Sequence, residues 1–98
     1  MLRQLLFCLF LFTSTGLRAE EAPLVEIHMP SPCLACIDWG SYLTDKGFRV
    51  SYKEKNTVEM AALKRRLKVP KEVESVHTAV VAGYFVEGHA YAEDIHEL

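Results

Sequence analysis

From residue 24 onward, apolar and polar positions fall into short stretches whose period switches between two and about three and a half. Leu24, Val25 and Ile27 predict a first strand that ends near His28-Met29, after a frayed acidic start. Cys36, Trp39, Gly40 and Leu43 recur at helical spacing, with cap-like chemistry at Ser31-Pro32 to open the helix. Gly47, after Asp45-Lys46, is the expected left-handed residue that closes it. Phe48, Val50 and Tyr52 alternate with polar neighbours and predict a second strand. Asn56 and Glu59 have the spacing of a capping box for a second helix through Met60, Leu63 and Leu67, which Pro70 is expected to end. Beyond a polar connection over 71–75, the apolar runs 78–82 and 84–86 flank Gly83, the pattern of a tight hairpin. Gly88 breaks that strand, and 92–98 reads as a last helix.

The resulting order is βαβαββα, an α/β chain with a mixed sheet. Strands that alternate with helices imply a parallel pair joined by a crossover, and the hairpin adds an antiparallel edge. There is no internal repeat, low-complexity tract or interdomain linker. The beginning is different in kind: a short positive start at Met1-Leu2-Arg3, an apolar stretch over 4–12, and small or polar residues over 13–19. This is the pattern of a secretory signal peptide over residues 1–19, cut after Ala19, and Cys8 is expected to leave with it. The apolar stretch is too short for a stable membrane span, which needs about 20 such residues. Residues 20–98 then form one small domain. Loss of Arg3 and Arg18 leaves nine Lys and Arg against thirteen Asp and Glu, a net charge of −4 that argues against nucleic acid as a partner.

The chemistry is concentrated in Ser31-Pro32-Cys33-Leu34-Ala35-Cys36. Two cysteines three apart at a helix start put both sulfurs on one face of the first turn, where unpaired N–H groups and the helix dipole favour thiolate. Such a pair exchanges disulfides or grips a soft metal ion. A purely structural staple would normally close a longer loop, although a binding module with a plain disulfide remains a third reading. Cys33, nearer the helix start, is expected to be the more exposed thiol, and Cys36 the buried, resolving one.

The chain resembles the exported metal-binding family called domain of unknown function 411, which includes CopG-type copper-resistance proteins. The matching pieces run over residues 24–97: Ser31-Pro32 into Cys33-Leu34-Ala35-Cys36 and Trp39, Met60-Ala61-Ala62-Leu63-Lys64 with Leu67 and Val69-Pro70, His77-Thr78-Ala79-Val80-Val81, Gly83-Tyr84, and Glu87-Gly88-His89 before Asp94-Ile95. The resemblance implies a thioredoxin-like three-layer fold, a periplasmic location and copper as the metal. The chain also departs from the family: Ala35 and Val76 stand where the family carries cysteines, and Tyr91 stands where proline is frequent. Two of four expected sulfur ligands are therefore missing.

Copper(I) tolerates two-coordinate binding by thiolates, with thioether or imidazole as a third ligand. The predicted ligands are Cys33 and Cys36, joined by His77, Met29 and His89. Zinc fits less well, because a closed site takes four ligands. A proline near Thr78, which common thioredoxin-like oxidoreductases place opposite the cysteines, is absent, leaving room for a metal. Expected partners are the metal ion and another exported redox or copper-handling protein. Simpler roles are also open. Met29 can be core filler, His77 can bond a loop carbonyl, and His89 can be an exposed loop residue. His96 is expected to be solvated, and Trp39 to shield one side of the site. Lys64, Arg65, Arg66 and Lys68 read as a solvated helix face that can also meet a negatively charged partner.

Overall fold

The computed structural model describes residues 22–98, so the predicted signal peptide over 1–19 and Cys8 lie outside the described residues. The elements are β1 (Leu24–Met29), α1 (Leu34–Asp45), β2 (Arg49–Glu54), α2 (Thr57–Arg66), a single 3-10 turn (Lys71–Val73), β3 (Thr78–Val81), β4 (Tyr84–Glu87) and α3 (Ala92–His96). The four strands form one sheet in the order β2-β1-β3-β4. β1 pairs parallel with β2 and antiparallel with β3, and β3 pairs antiparallel with β4.

Strand parity decides which side chains meet which helix. Val25, Ile27 and Met29 of β1 lie level with Ala79 and Val81 of β3 and share one buried cluster with Cys36, Trp39 and Leu43 of α1 and Ala92 and Ile95 of α3. Thr78 points to the opposite face, where the Lys64 ammonium of α2 donates to its Oγ1 at 2.8 Å. α1 and α3 thus cover one face of the sheet and α2 the other. This is a thioredoxin-like arrangement with the predicted βαβαββα order.

Most punctuation is where its chemistry demands it. Asn56 and Glu59 form the reciprocal capping box, each bond 2.8 Å long. Gly47 and Gly88 both adopt positive φ, as do Ala82 and Gly83 in the two-residue hairpin turn. Three expectations are corrected. Ser31-Pro32 does not cap α1; Cys33 is the N-cap, because its own Sγ accepts the Cys36 N–H at 3.2 Å. Pro70 does not end α2, which stops at Arg66 with Leu67 as C-cap, and Lys68 then turns left-handed with φ 62°. Lys64 is not solvated: it is 8% exposed, because it follows Met60 by four residues and shares the stripe that faces the sheet.

α1 and β2 approach each other closely at Gly40. A Cβ there would meet the Tyr52 hydroxyl and lie 2.7 and 2.8 Å from two of its ring carbons. Tyr52 is partly exposed and donates to the Ile37 carbonyl at 3.3 Å, so the ring can swing out only by losing that bond. Gly40→Ala is therefore expected to destabilise the fold by about 1–3 kcal/mol in urea unfolding, despite alanine's better helix propensity. A more stable variant would contradict this packing.

Candidate metal and redox centre

The two cysteines occupy unlike positions at the start of α1. Cys33 is the half-buried N-cap and Cys36 is 0% exposed within the core cluster. Their Cα atoms are 5.3 Å apart and their sulfurs are joined in a disulfide. The Cys36 N–H that donates to Cys33 Sγ is one of the unpaired groups of the first turn, and it would stabilise charge on that sulfur after reduction. Between them Leu34 is 79% exposed and Ala35 is also exposed, so the turn lies at the surface with Cys33 half-buried in it and Cys36 beneath. A groove of about 450 Å³ begins at Ala35 and runs past Asp38, Trp39, Tyr42, His89 and Tyr91.

The antiparallel register fixes what stands at the same end of the sheet. His28 of β1 is level with Thr78 of β3, so one further step brings His77 level with Met29, beside the loop that leads into Cys33. His77 shares the parity of Ala79 and faces α1, where its ring stacks on Trp39 with centroids 4.8 Å apart. Met29 is buried in the cluster that holds Cys36, with Cys33 packed against it. His89 is exposed, yet its ring lies parallel to His77 at 5.3 Å and to Trp39 at 6.1 Å. Trp39 is anchored by its own Nε1, which donates to the Ala90 carbonyl at 3.0 Å.

His77 is wholly buried and has a defined tautomer. Its Nε2 lies 2.9 Å from the Gly88 carbonyl, which can only accept, so Nε2 carries the proton. Nδ1 is then a bare lone pair, buried and without a hydrogen-bond partner. Burial holds the ring's pKa below its ordinary value, against the opposing effect of the Gly88 bond. His28, on the other face, is lowered for the same main reason, and its Nε2 lies 3.5 Å from Glu26. Both rings take up protons more readily in the unfolded chain, whose histidines titrate near about 6.5. Stability is expected to be full above that pH and to decline as the pH falls from about 6.5 toward the lowered native values. Urea midpoints measured between pH 8 and 5 check this; a midpoint that rises on acidification would contradict it.

The cysteines therefore converge, Met29 joins their cluster, and His77 and His89 are brought together against Trp39 at the same sheet end. Among the described residues, no three or more His, Cys, Asp or Glu side chains form a group placed to hold a metal. His96 stacks on Phe48 at 4.4 Å, away from these residues in sequence and at the far end of α3. Three contributors escaped sequence reasoning: Ser75, Glu87 and the backbone of Gly88, all bonded around His77. Ser75 carries no sequence signal of this, and Glu87 and Gly88 carry only that of the matching piece Glu87-Gly88-His89 and the strand break at Gly88.

Two solved forms of a copper resistance protein, CopG, match this chain at 40% identity with a TM-score of 0.74, over 80% of this chain and 61% of that one. The chain is similar to CopG through most of its own length. It spans about three fifths of the CopG chain. A thioredoxin-like protein also matches, at 26% identity and a TM-score of 0.45, over 76% of this chain and 96% of that one. Neither a protein-family profile nor a curated protein matches the chain. Among the described residues, no helix is long and apolar enough to cross a membrane.

Proposed function

We propose that this chain is an exported, periplasmic copper-handling protein that binds copper(I) through reduced Cys33 and Cys36. The observation that carries this reading is the convergence of two sulfurs at the start of α1, one reachable from solvent and one buried. The similarity to CopG over most of the chain supports copper as the metal. Binding requires reduction first. A dithiol donor supplies two electrons and two protons to the Cys33–Cys36 disulfide and leaves as its own disulfide; copper(I) then displaces the two thiol protons.

The donor set suits this ion. Two thiolates satisfy copper(I), whereas a closed zinc site wants four ligands. The Met29 thioether and the bare Nδ1 of His77 are the candidates for a third ligand, and His89 stands next to His77 as a further one. Titration of the reduced chain with copper(I) against a competing chelator tests the reading. About one ion per reduced chain is expected, and none for the disulfide form. Equal uptake by both forms would refute it.

The unlike exposure of the two sulfurs favours a second reading, thiol–disulfide exchange. In it, reduced Cys33 attacks a partner disulfide, expelling one partner thiolate, and Cys36 then attacks Cys33 Sγ to release the other. Cys36→Ala would trap the mixed disulfide at Cys33. Absence of any trapped adduct with a test disulfide would exclude this chemistry.

A further inference from the structure

The groove that starts at the disulfide turn has aromatic walls and an acidic rim. It begins at Ala35, next to Cys36, and continues past Asp38, Trp39, Tyr42, His89 and Tyr91. Its walls are held in place from within. Trp39 Nε1 donates to the Ala90 carbonyl at 3.0 Å and the Tyr42 hydroxyl accepts the Ala92 N–H at 2.8 Å, so both rings of α1 are fastened to the segment that enters α3. His89 lies parallel to Trp39, and Tyr91 is 66% exposed. No Lys or Arg lines the groove. Its one carboxylate is the exposed Asp38, and the exposed Glu93 and Asp94 follow Tyr91 in the first turn of α3. Tyr42 already faces a cation: the Lys46 ammonium, outside the lining, stands 5.9 Å from its ring centroid.

We propose that this groove docks an arginine of the protein that exchanges electrons with the Cys33–Cys36 disulfide, carried on an extended segment two or three residues from that partner's cysteine. This rests on the thiol–disulfide exchange that both readings above require, and deepens it by naming the partner's chemistry. A guanidinium is planar and weakly hydrated, so it stacks on aromatic faces while its N–H fork pairs with a carboxylate. An acidic side chain would instead meet Asp38, Glu93 and Asp94. Prefastened rings also lower the cost of ordering the site on binding. The reach follows from helix geometry. Asp38 is five residues beyond Cys33, about 7–8 Å along α1, which an extended chain covers in two or three residues at about 3.3 Å each.

The test uses heptapeptide thiols with a central cysteine and Arg, Ala or Glu three residues to either side. Each is mixed in excess with the oxidised mature chain at pH 8, and the reduced chain is counted by mass after alkylation. One peptide thiolate attacks Cys33 Sγ and expels Cys36 as thiolate; a second displaces Cys33, leaving peptide disulfide and the protein dithiol. The arginine peptide is expected to react about tenfold faster than the alanine peptide, and the glutamate peptide more slowly than either. Asp38→Asn and Tyr91→Ala should each bring the arginine preference below about threefold. Asp45→Asn removes the same charge from α1 outside the groove and should leave the preference intact. Dithiothreitol should reduce all four chains at rates within about twofold, since it carries no group for the groove. Equal rates for the arginine and alanine peptides, or a preference that survives Asp38→Asn or is lost equally in Asp45→Asn, would overturn the docking site while leaving the exchange chemistry standing. No reduction by dithiothreitol or any peptide would refute the exchange reading itself, and the docking site with it.

Discussion

Cys36→Ala and Cys36→Ser chains are expected to take up no measurable copper(I) under conditions in which the reduced unsubstituted chain binds one ion. The residue is 0% exposed and its sulfur meets Cys33 Sγ, so no other side chain occupies its place. Serine replaces a soft thiolate by a hard hydroxyl that stays protonated at neutral pH, a poor match for copper(I). Even a partner outside the ligand shell commonly changes metal affinity 10–100-fold, so loss of one of two principal ligands should exceed about 100-fold. Alanine guards against a misleading result, because a serine hydroxyl buried in an apolar cluster costs about 1–3 kcal/mol if unpaired. Circular dichroism and a urea midpoint establish that each chain is folded. Affinity within tenfold of the unsubstituted chain in both variants would remove the sulfur pair from the site.

Lys64→Ala is expected to cost about 3–5 kcal/mol of stability, a large share of what a domain of this size possesses. The side chains of Lys64 and Glu87 are 9% and 5% exposed, and their ion pair is completed by Thr78 Oγ1 and the Ser75 N–H. Without the ammonium, Glu87 keeps a buried charge whose second oxygen, Oε2, already has no partner. The penalty comes from stranding that carboxylate rather than from losing an attraction. For the same reason Lys64→Met combined with Glu87→Gln should recover most of the loss, since glutamine still accepts the Ser75 N–H and neither residue is charged. Urea unfolding of the single and double variants measures both. A cost below about 1 kcal/mol for Lys64→Ala would mean that the pair behaves as an exposed one.

The contrast between these two sites shows what can be read along a chain. Local signals survive folding: the Asn56–Glu59 box, the left-handed Gly47 and the turn at Gly83 depend on neighbours within a few residues. The cysteine spacing belongs to the same class, and the sulfurs do converge. The start of α1 is harder to read, because the cap is a disulfide sulfur acting where a hydroxyl or carboxylate is usual. Lys64 is the opposite case: its charge points to solvent, whereas its place four residues after Met60 sets it against the sheet. Its partner, Glu87, lies 23 residues away, and only the layering of α2 on the β3–β4 hairpin brings them together.

His77 was legible as a candidate but not as an arrangement. Its place beside Met29 follows from the antiparallel register of β1 and β3, which no local pattern encodes. Its tautomer follows from a carbonyl eleven residues downstream. Ser75 gave no signal at all, since a serine in a polar connection resembles any other until the β4 exit folds back against it.

The most direct measurement is the reduction potential of the Cys33–Cys36 disulfide in the presence and absence of copper(I). If both thiolates hold the ion, copper(I) stabilises only the reduced form, and the midpoint should rise by about 30 mV for each tenfold excess of free copper(I) over its dissociation constant. A midpoint that does not move with copper(I) would contradict the account.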